Sequence, residues 1–384
     1  MNLFPEHTRH LYEEEIIRLR RQFHKIPELC YGEEKTADAI EAILKSYGIS
    51  RVKRVFRTGV VALLGDETKE CIAFRMDIDG LPVEEKNEVP YRSEHPGMMH
   101  ACGHDAHIAI LLMTAKLLKE QEDKLPCSVK LIFQPGEEGD GGALPMIEEG
   151  VLEHPPVSRI FGAHVWPGVP SGVLEYVNGA SFAGCDRYDV KFYGAGGHGA
   201  MPEEAKPPIL PMSEWILGLK QAEKEETNCV LSACACKADG YYNVFGDYAQ
   251  IQGTIRTLSE TQRTRVFETI KHLTETIQHK YGIPVEFLPV EEYPPCENHE
   301  SALAEYIKAA IKTVGEENVR KGNPTFAAED FCYFTKACPG AHIRIGCSNS
   351  PETSYPLHNP CFQIAEDCLL RGAELFCTLA LNHK

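Results

Sequence analysis

Between His100 and His107 the chain reads His-Ala-Cys-Gly-His-Asp-Ala-His, placing three imidazoles and one thiol within a single short stretch. Imidazole and thiolate are borderline-to-soft donors for Zn²⁺ and related divalent ions. Gly103 lets the backbone fold tightly, so the side chains of Cys102 and His104 can converge on one point. A cluster this dense points to a metal site, and it constrains the chain more than any other feature.

The 384 residues are 43% hydrophobic, ample for one large core and, as expected for this length, two domains. A formal net charge of −17 opposes attraction to polyphosphate, which argues against a nucleic-acid partner. The longest apolar stretches, 108–113 and 209–219, are too short or too interrupted to span a bilayer. The first residues, Met1-Asn-Leu-Phe-Pro-Glu-His, lack the apolar core of a secretion signal. A soluble cytoplasmic protein without a membrane partner is expected. The fifteen cysteines are odd in number, and with no secretion signal they read as reduced thiols. Cys30, Cys71, Cys127, Cys332 and Cys377 sit in apolar contexts and read as small buried hydrophobes. Cys234-Ala-Cys236 lies in an alternating run, which favours a strand over a redox or metal pair.

Spacing of apolar residues predicts helices over 11–26, ended by Pro27, and over 35–47, closed by Gly48. Strands follow over 60–64 and 71–76, then a helix over 106–119 and strands over 128–133 and 159–164. This alternation predicts an α/β layer with a mixed, mainly parallel sheet flanked by helices. The polar clusters fall just after strands, where open α/β sheets place their crevices. From about Asp186 to Cys296 the pattern changes. A strand over 188–193, a helix over 208–222 and strands over 229–238 and 248–256 lead to a helix over 259–281. Ser259 and Gln262 suit a capping box there, and a strand over 284–289 closes the series. That order is β-α-β-β-α-β, the split βαβ or ferredoxin-like α+β sandwich. Ligand-type residues lie on both sides of it, so it reads as an insertion. The expected organisation is one domain from 1–185 and 297–384, interrupted by a second over 186–296. A helix over 301–312 resumes the first.

Four further pieces carry chemistry. Glu137 and Glu138 follow a strand and a Pro-Gly turn; in extended backbone their side chains would point opposite ways. One carboxylate could then face a metal and the other a water that the metal activates, although a solvated acidic turn has the same sequence. His164 ends an apolar strand, and His358 sits in Tyr-Pro-Leu-His-Asn-Pro; each could be a ligand or a hydrogen-bonded structural residue. Asp77 and Asp79 could orient a ligand imidazole or cap a helix.

Together these segments resemble a known family. Arg20-Arg-Gln-Phe-His-Lys-Ile-Pro-Glu28, Arg75-Met-Asp-Ile-Asp-Gly-Leu-Pro82, His100-Ala-Cys-Gly-His-Asp105 and Phe133-Gln-Pro-Gly-Glu-Glu-Gly139 occur in order. With Gly196-Gly-His-Gly-Ala-Met-Pro202, Ala328-Glu-Asp-Phe331 and Leu357-His-Asn-Pro360, they resemble the M20 metallopeptidases. The nearest branch is subfamily D, the amidohydrolases that include hippurate hydrolase, N-acyl-amino-acid deacylases and N-acetyldiaminopimelate deacetylase. The resemblance implies a zinc-peptidase-like catalytic domain with an inserted lid and dimerisation domain. It implies two divalent metal ions (Zn, Mn, Co or Ni) held by Cys102, His104, Glu138, His164 and His358. By the same mapping, Glu137 is the general base, Asp77 an orienting residue, and His107 a helix residue outside the ligand set. His198 would reach a partner subunit's site in a homodimer and polarise the scissile carbonyl. Asn243 and Arg256 match positions linked to a substrate carboxylate. The lid departs from the family at Glu203, Lys206, Tyr241, Phe245 and Gly246.

The expected activity is metal-dependent hydrolysis of an N-acyl amino acid or a related small amide, through a metal-activated water. A dipeptidase or carboxypeptidase breaks chemically the same bond and is the alternative. A non-catalytic binding protein, or a thiol-redox protein built around Cys102, is the reading from another class.

Overall fold

A computed structural model describes residues 6–383. It divides into two compact units. One comprises the chain up to Gly179, Asn298–Asn323 and the chain from Tyr333 onward; the other comprises Ala180–Glu297 and Pro324–Cys332.

The first unit is built on an eight-stranded mixed sheet. Its order is Val52–Val55, Gly59–Leu64, Ser128–Gln134, Cys71–Asp77, Val157–Pro170, Gly340–Ser348, Leu174–Tyr176, Val319–Lys321. The four middle strands, from Ser128–Gln134 to Gly340–Ser348, run parallel to one another. Every residue of Cys71–Asp77 and Ser128–Gln134 is buried, as strands covered on both faces require. The helices Glu6–His24, Glu34–Ser46, His104–Lys119, Glu300–Val314 and Cys368–Asn382 supply that cover. His104–Lys119 is buried along nearly its whole length. Phe74, at the centre of the core, packs against Phe161 and Phe376 with ring centroids 6.3 and 4.7 Å apart.

Two departures from the sequence expectation matter for the site. The helix expected from residue 106 begins at His104, so that imidazole stands in its first turn. The parallel strand Gly340–Ser348 has no counterpart among the expected strands, because His342 and Arg344 interrupt its apolar run. Arg344 is buried there because its Nη1 donates to Glu175 Oε1 at 2.9 Å.

The second unit is an antiparallel sheet ordered Val230–Tyr241, Val244–Thr257, Gly184–Tyr193, Val285–Tyr293. The short strand Gly197–His198 also pairs with Val244–Thr257. Helices Ile209–Glu226 and Glu260–Tyr281 bury Trp215, Leu219, Val266 and Ile270 in a core with Val190 and Phe192. This is the β-α-β-β-α-β order. Ser259 caps the second helix, its Oγ accepting the Gln262 N–H at 3.1 Å, while Gln262 Oε1 accepts the Leu258 N–H at 2.8 Å. Buried Asp186 accepts from Nε and Nη2 of Arg263 at 2.8 and 2.6 Å. Pro324–Cys332 joins this unit because the Ala183 N–H donates to the carbonyls of Thr325 and Ala327.

All fifteen cysteines are free thiols. Cys71, Cys127, Cys332 and Cys377 are buried, Cys30 is half-buried, and Cys234 and Cys236 are exposed. Among the described residues, no helix is long and apolar enough to cross a membrane.

Candidate metal centre

Local structure sets the donors at the ends of the parallel strands and the loops beside them, all within the first unit. Cys102 precedes the helix His104–Lys119, and Gly103 is its N-terminal capping residue at φ +88°. A Cβ at Gly103 would stand 2.5 Å from Val165 Cγ2, so only glycine fits this conformation and this space. His164 lies on the strand Val157–Pro170, and Glu138 in the turn after Ser128–Gln134. His358 has a left-handed backbone (φ +66°), and its N–H donates to the Ala101 carbonyl at 2.8 Å. That bond ties the C-terminal loop to the segment bearing Cys102.

The five donors converge. Cys102 Sγ is 3.3 Å from His164 Nε2, and His358 Nε2 is 3.2 Å from Glu138 Oε1. Ligand atoms of Cys102, His104 and His164 lie within 4.8 Å of one another, as do those of Cys102, Glu138 and His358. Two donor triads thus share one sulfur. His104, Glu137 and Glu138 form a third close group, which sets the Glu137 carboxylate beside both triads.

A cation fits this arrangement better than an empty hydrogen-bond network does. His104 Nε2 is buried and makes no hydrogen bond among the described residues, and buried Glu138 Oε1 has His358 Nε2 at 3.2 Å as an ion-pair contact. The nearest carboxylate oxygens to His104 Nε2 are Asp77 Oδ1 at 3.5 Å and Glu138 Oε1 at 3.9 Å. Buried polar atoms left like this are costly unless an ion takes up the lone pairs. The set of two triads, with nitrogen, sulfur and carboxylate donors, suits divalent ions of the Zn, Mn, Co or Ni type.

Electrostatics point the same way. Burial, then the charges of Glu138 and Glu137, push the Cys102 thiol well above its ordinary range. Burial alone would lower His104, but Asp77, Asp79 and Glu138 outweigh it and raise the imidazole to about 10. Burial opposes ionisation of Glu138, yet His358 and His104 hold its carboxyl below the usual value. The pocket therefore favours positive charge, and a bound cation would take the place of those protons on sulfur and nitrogen.

The supporting contacts sort the aspartates. His104 Nδ1 is 3.1 Å from Asp79 Oδ1, and Asp79 Oδ2 accepts the Glu138 N–H at 2.9 Å. Asp79 therefore orients two donors at once. Asp77 faces His107 Nδ1 at 2.5 Å and Arg75 Nη1 at 2.9 Å. Glu137 and Glu138 lie in a turn instead of extended backbone, so both carboxylates reach the same cluster. Glu33, which the sequence reading did not single out, holds this turn. Its Oε1 accepts the Gly136 N–H at 2.9 Å and its Oε2 the Thr58 hydroxyl at 2.7 Å. Glu33 stands five residues past the Arg20–Glu28 segment and its partners Thr58 and Gly136 are distant in sequence, so nothing local marks it. His100, first in the cluster, belongs to no donor group among the described residues; burial lowers its imidazole to about 3.

The remaining candidates belong to the second unit. His198 is exposed and pairs with Val244, and the Gly199 N–H donates to the Asn243 carbonyl at 2.8 Å, so His198 and Asn243 are neighbours. Arg256 is half-buried at the other end of the strand Val244–Thr257, opposite Cys185 and Val230. The Ala200 N–H donates to His198 Nδ1 at 3.1 Å, which places the proton of the neutral ring on Nε2.

A mixed sheet whose middle strands run parallel, with five such donors gathered at strand ends and in the adjoining loops and a further carboxylate beside them, is the arrangement of a metal-dependent hydrolase. The chain belongs to peptidase family M20/M25/M40, whose sequence profile matches residues 73–382. It is 35% identical over 377 residues to the putative amidohydrolase YhaA of Bacillus subtilis, covering 96% of this chain and 95% of that one. It is 33% identical to the N-acetyl-L-cysteine deacetylase of the same organism, over 94% of this chain and 86% of the other. The crystal structure of the Bacillus subtilis YXEP protein, described as a dinuclear metal-binding peptidase of the M20 family, superposes with a TM-score of 0.87. There the identity is 31%, over 97% of this chain and 98% of that one.

Proposed function

We propose that this M20 amidohydrolase removes the acyl group from N-acyl amino acids, using two divalent metal ions. The observation that carries the reading is the pair of donor triads sharing Cys102, with the Glu137 carboxylate in contact range of both. Similarity to an N-acetyl-L-cysteine deacetylase supports the substrate class.

Cys102, His104 and His164 would hold one ion, and Cys102, Glu138 and His358 the other. Bound divalent ions supply Lewis-acid polarisation and make water more acidic. Glu137 is the general base: its carboxylate takes a proton from the attacking water and returns it to the departing amine nitrogen. Asp79 keeps His104 and Glu138 in register for that task. His198, with its proton on Nε2, is suited to donate to the carbonyl oxygen as negative charge builds there. Arg256 offers a guanidinium for the substrate carboxylate; Asn243 lies at the opposite end of the strand Val244–Thr257, so its amide would reach the same substrate only in trans, with His198, from a partner subunit.

The catalytic domain is the first unit and the lid the second. Homodimerisation through the lid is supported by its exposed apolar residues, among them Leu210, Leu217, Tyr241 and Tyr242. The edge strand Val230–Tyr241, with one neighbouring strand among the described residues, offers an edge for pairing. Free thiols throughout suit a reducing cytoplasm.

The test is an assay of metal-stripped protein reloaded separately with Zn²⁺, Mn²⁺, Co²⁺ or Ni²⁺. Its substrates are N-acyl amino acids of varied acyl length and side chain, run beside dipeptides. Cleavage of N-acyl amino acids that is lost with chelator and regained with metal is expected. Cleavage of dipeptides alone would overturn the acyl reading.

A further inference from the structure

His107 lies between the two histidine donors of one triad, yet neither of its ring nitrogens is available to a metal. The backbone N–H of Val165 donates to His107 Nε2 at 3.0 Å. A ring nitrogen that accepts carries no proton, so the proton of the neutral ring is on Nδ1. Nδ1 faces Asp77 Oδ1 at 2.5 Å, and Asp77 Oδ2 is in turn held by Arg75 Nη1 at 2.9 Å. Both nitrogens are spent. The Asp77–His107 pair, held by Arg75 and reaching Val165, is therefore a hydrogen-bonded relay, and His104, whose Nε2 stands 3.5 Å from Asp77 Oδ1, lies outside it although the spacing of the three would suit a cation.

The relay leads to His164. Its Nδ1–H donates to the Val165 carbonyl at 2.6 Å, which leaves the lone pair on Nε2 directed at Cys102 Sγ, 3.3 Å away. One residue, Val165, thus gives its N–H to His107 and its carbonyl to His164. The His107 ring stacks on His104 (centroids 5.2 Å, 22° between planes) and meets His164 edge-on (4.6 Å, 83°). It is completely buried.

We infer that His107 is a positioning residue: by pinning Val165 it fixes the orientation and tautomer of the His164 donor, and it takes no metal itself. This inference rests on the metal-site reading of Cys102, His104 and His164. Outer partners of metal-binding histidines commonly change affinity by about 10–100-fold.

The experiment compares wild type with His107→Phe, His107→Asn and His107→Gln. Phenylalanine keeps the ring's packing and removes both hydrogen bonds. Asparagine keeps the Asp77 contact without reaching Val165, and glutamine restores an acceptor near the lost Nε2. Metal ions per chain are counted by mass spectrometry of the folded protein, and affinities are read by competition with a chromogenic chelator, using Zn²⁺ alone. Wild type is expected to hold two ions. The Phe and Asn variants should hold one tightly and the second about 10–100-fold more weakly, with kcat falling more than KM rises. His107→Gln should recover most of the second ion. Should the Phe variant not fold, the contrast between Asn and Gln decides the matter. Two ions bound at wild-type affinity in His107→Asn would overturn the positioning role alone. Wild type that binds no Zn²⁺ would overturn the metal-site reading and this inference with it.

Discussion

The Sγ of Cys102 and Nε2 of His164 are 3.3 Å apart, although 62 residues separate them in the chain. Each belongs to a different element: one precedes a buried helix, the other lies on a strand in the middle of the sheet. Cys102 is also the atom common to both donor triads. Replacing it should therefore disturb two ion positions at once. In Cys102→Ser, metal content should fall below one ion per chain, and activity by at least about 100-fold. Elemental analysis beside an activity assay checks both, and a variant with two ions at full occupancy would contradict the shared-sulfur arrangement.

Glu137 is expected to act on protons and leave the metal in place. Glu137→Gln should keep wild-type metal content and lose roughly 10²–10⁴ in kcat. A variant that hydrolyses N-acyl amino acids at the wild-type rate would remove Glu137 from the mechanism.

Gly103 combines a left-handed backbone with a Cβ position 2.5 Å from Val165 Cγ2. Gly103→Ala should cost about 1–3 kcal/mol in unfolding free energy, from backbone strain and the forced movement of Val165. Because that movement passes to His164, metal affinity should fall too. Denaturant titration of the metal-free protein separates the first effect from the second.

His383 follows the C-terminal helix, with Nδ1 2.7 Å from Glu305 Oε1 and Nε2 3.4 Å from Glu70 Oε1. The hydrogen bond to Glu305 outweighs burial and raises its pKa. A group that binds its proton more tightly when folded stabilises the fold at low pH. That contribution is complete below the unfolded value, about 6.5, and is lost as pH rises through the higher folded value. The stability difference between wild type and His383→Gln should therefore shrink as pH rises above neutrality. Thermal unfolding across that range reads it; a difference that grows with pH would refute the assignment.

Much of this was legible in the residues. Apolar spacing found the middle strands Cys71–Asp77 and Ser128–Gln134, because buried parallel strands are continuous apolar runs. It missed Gly340–Ser348, where His342 and Arg344 interrupt the run and Arg344 finds its partner in Glu175, far away in sequence. Ligand chemistry singled out the cluster at 100–107, but did not separate its members. His100 and His107 have the same side chain as His104 and lie within a few residues of it, yet burial and hydrogen bonding give each a different part.

The sequence by itself determined which chemical groups were present, the alternation of strands and helices, and the turn that only Gly103 permits, since these follow from side-chain type and local backbone sterics. The tertiary structure decided which atoms meet. It joined Cys102 to two triads, gave His104 to Asp79 and His107 to Asp77, and set Glu33 beneath the Glu137 turn. Those pairings depend on strand register and helix placement across hundreds of residues, where differences of a few ångströms separate a donor from a bystander and no local pattern records the distance.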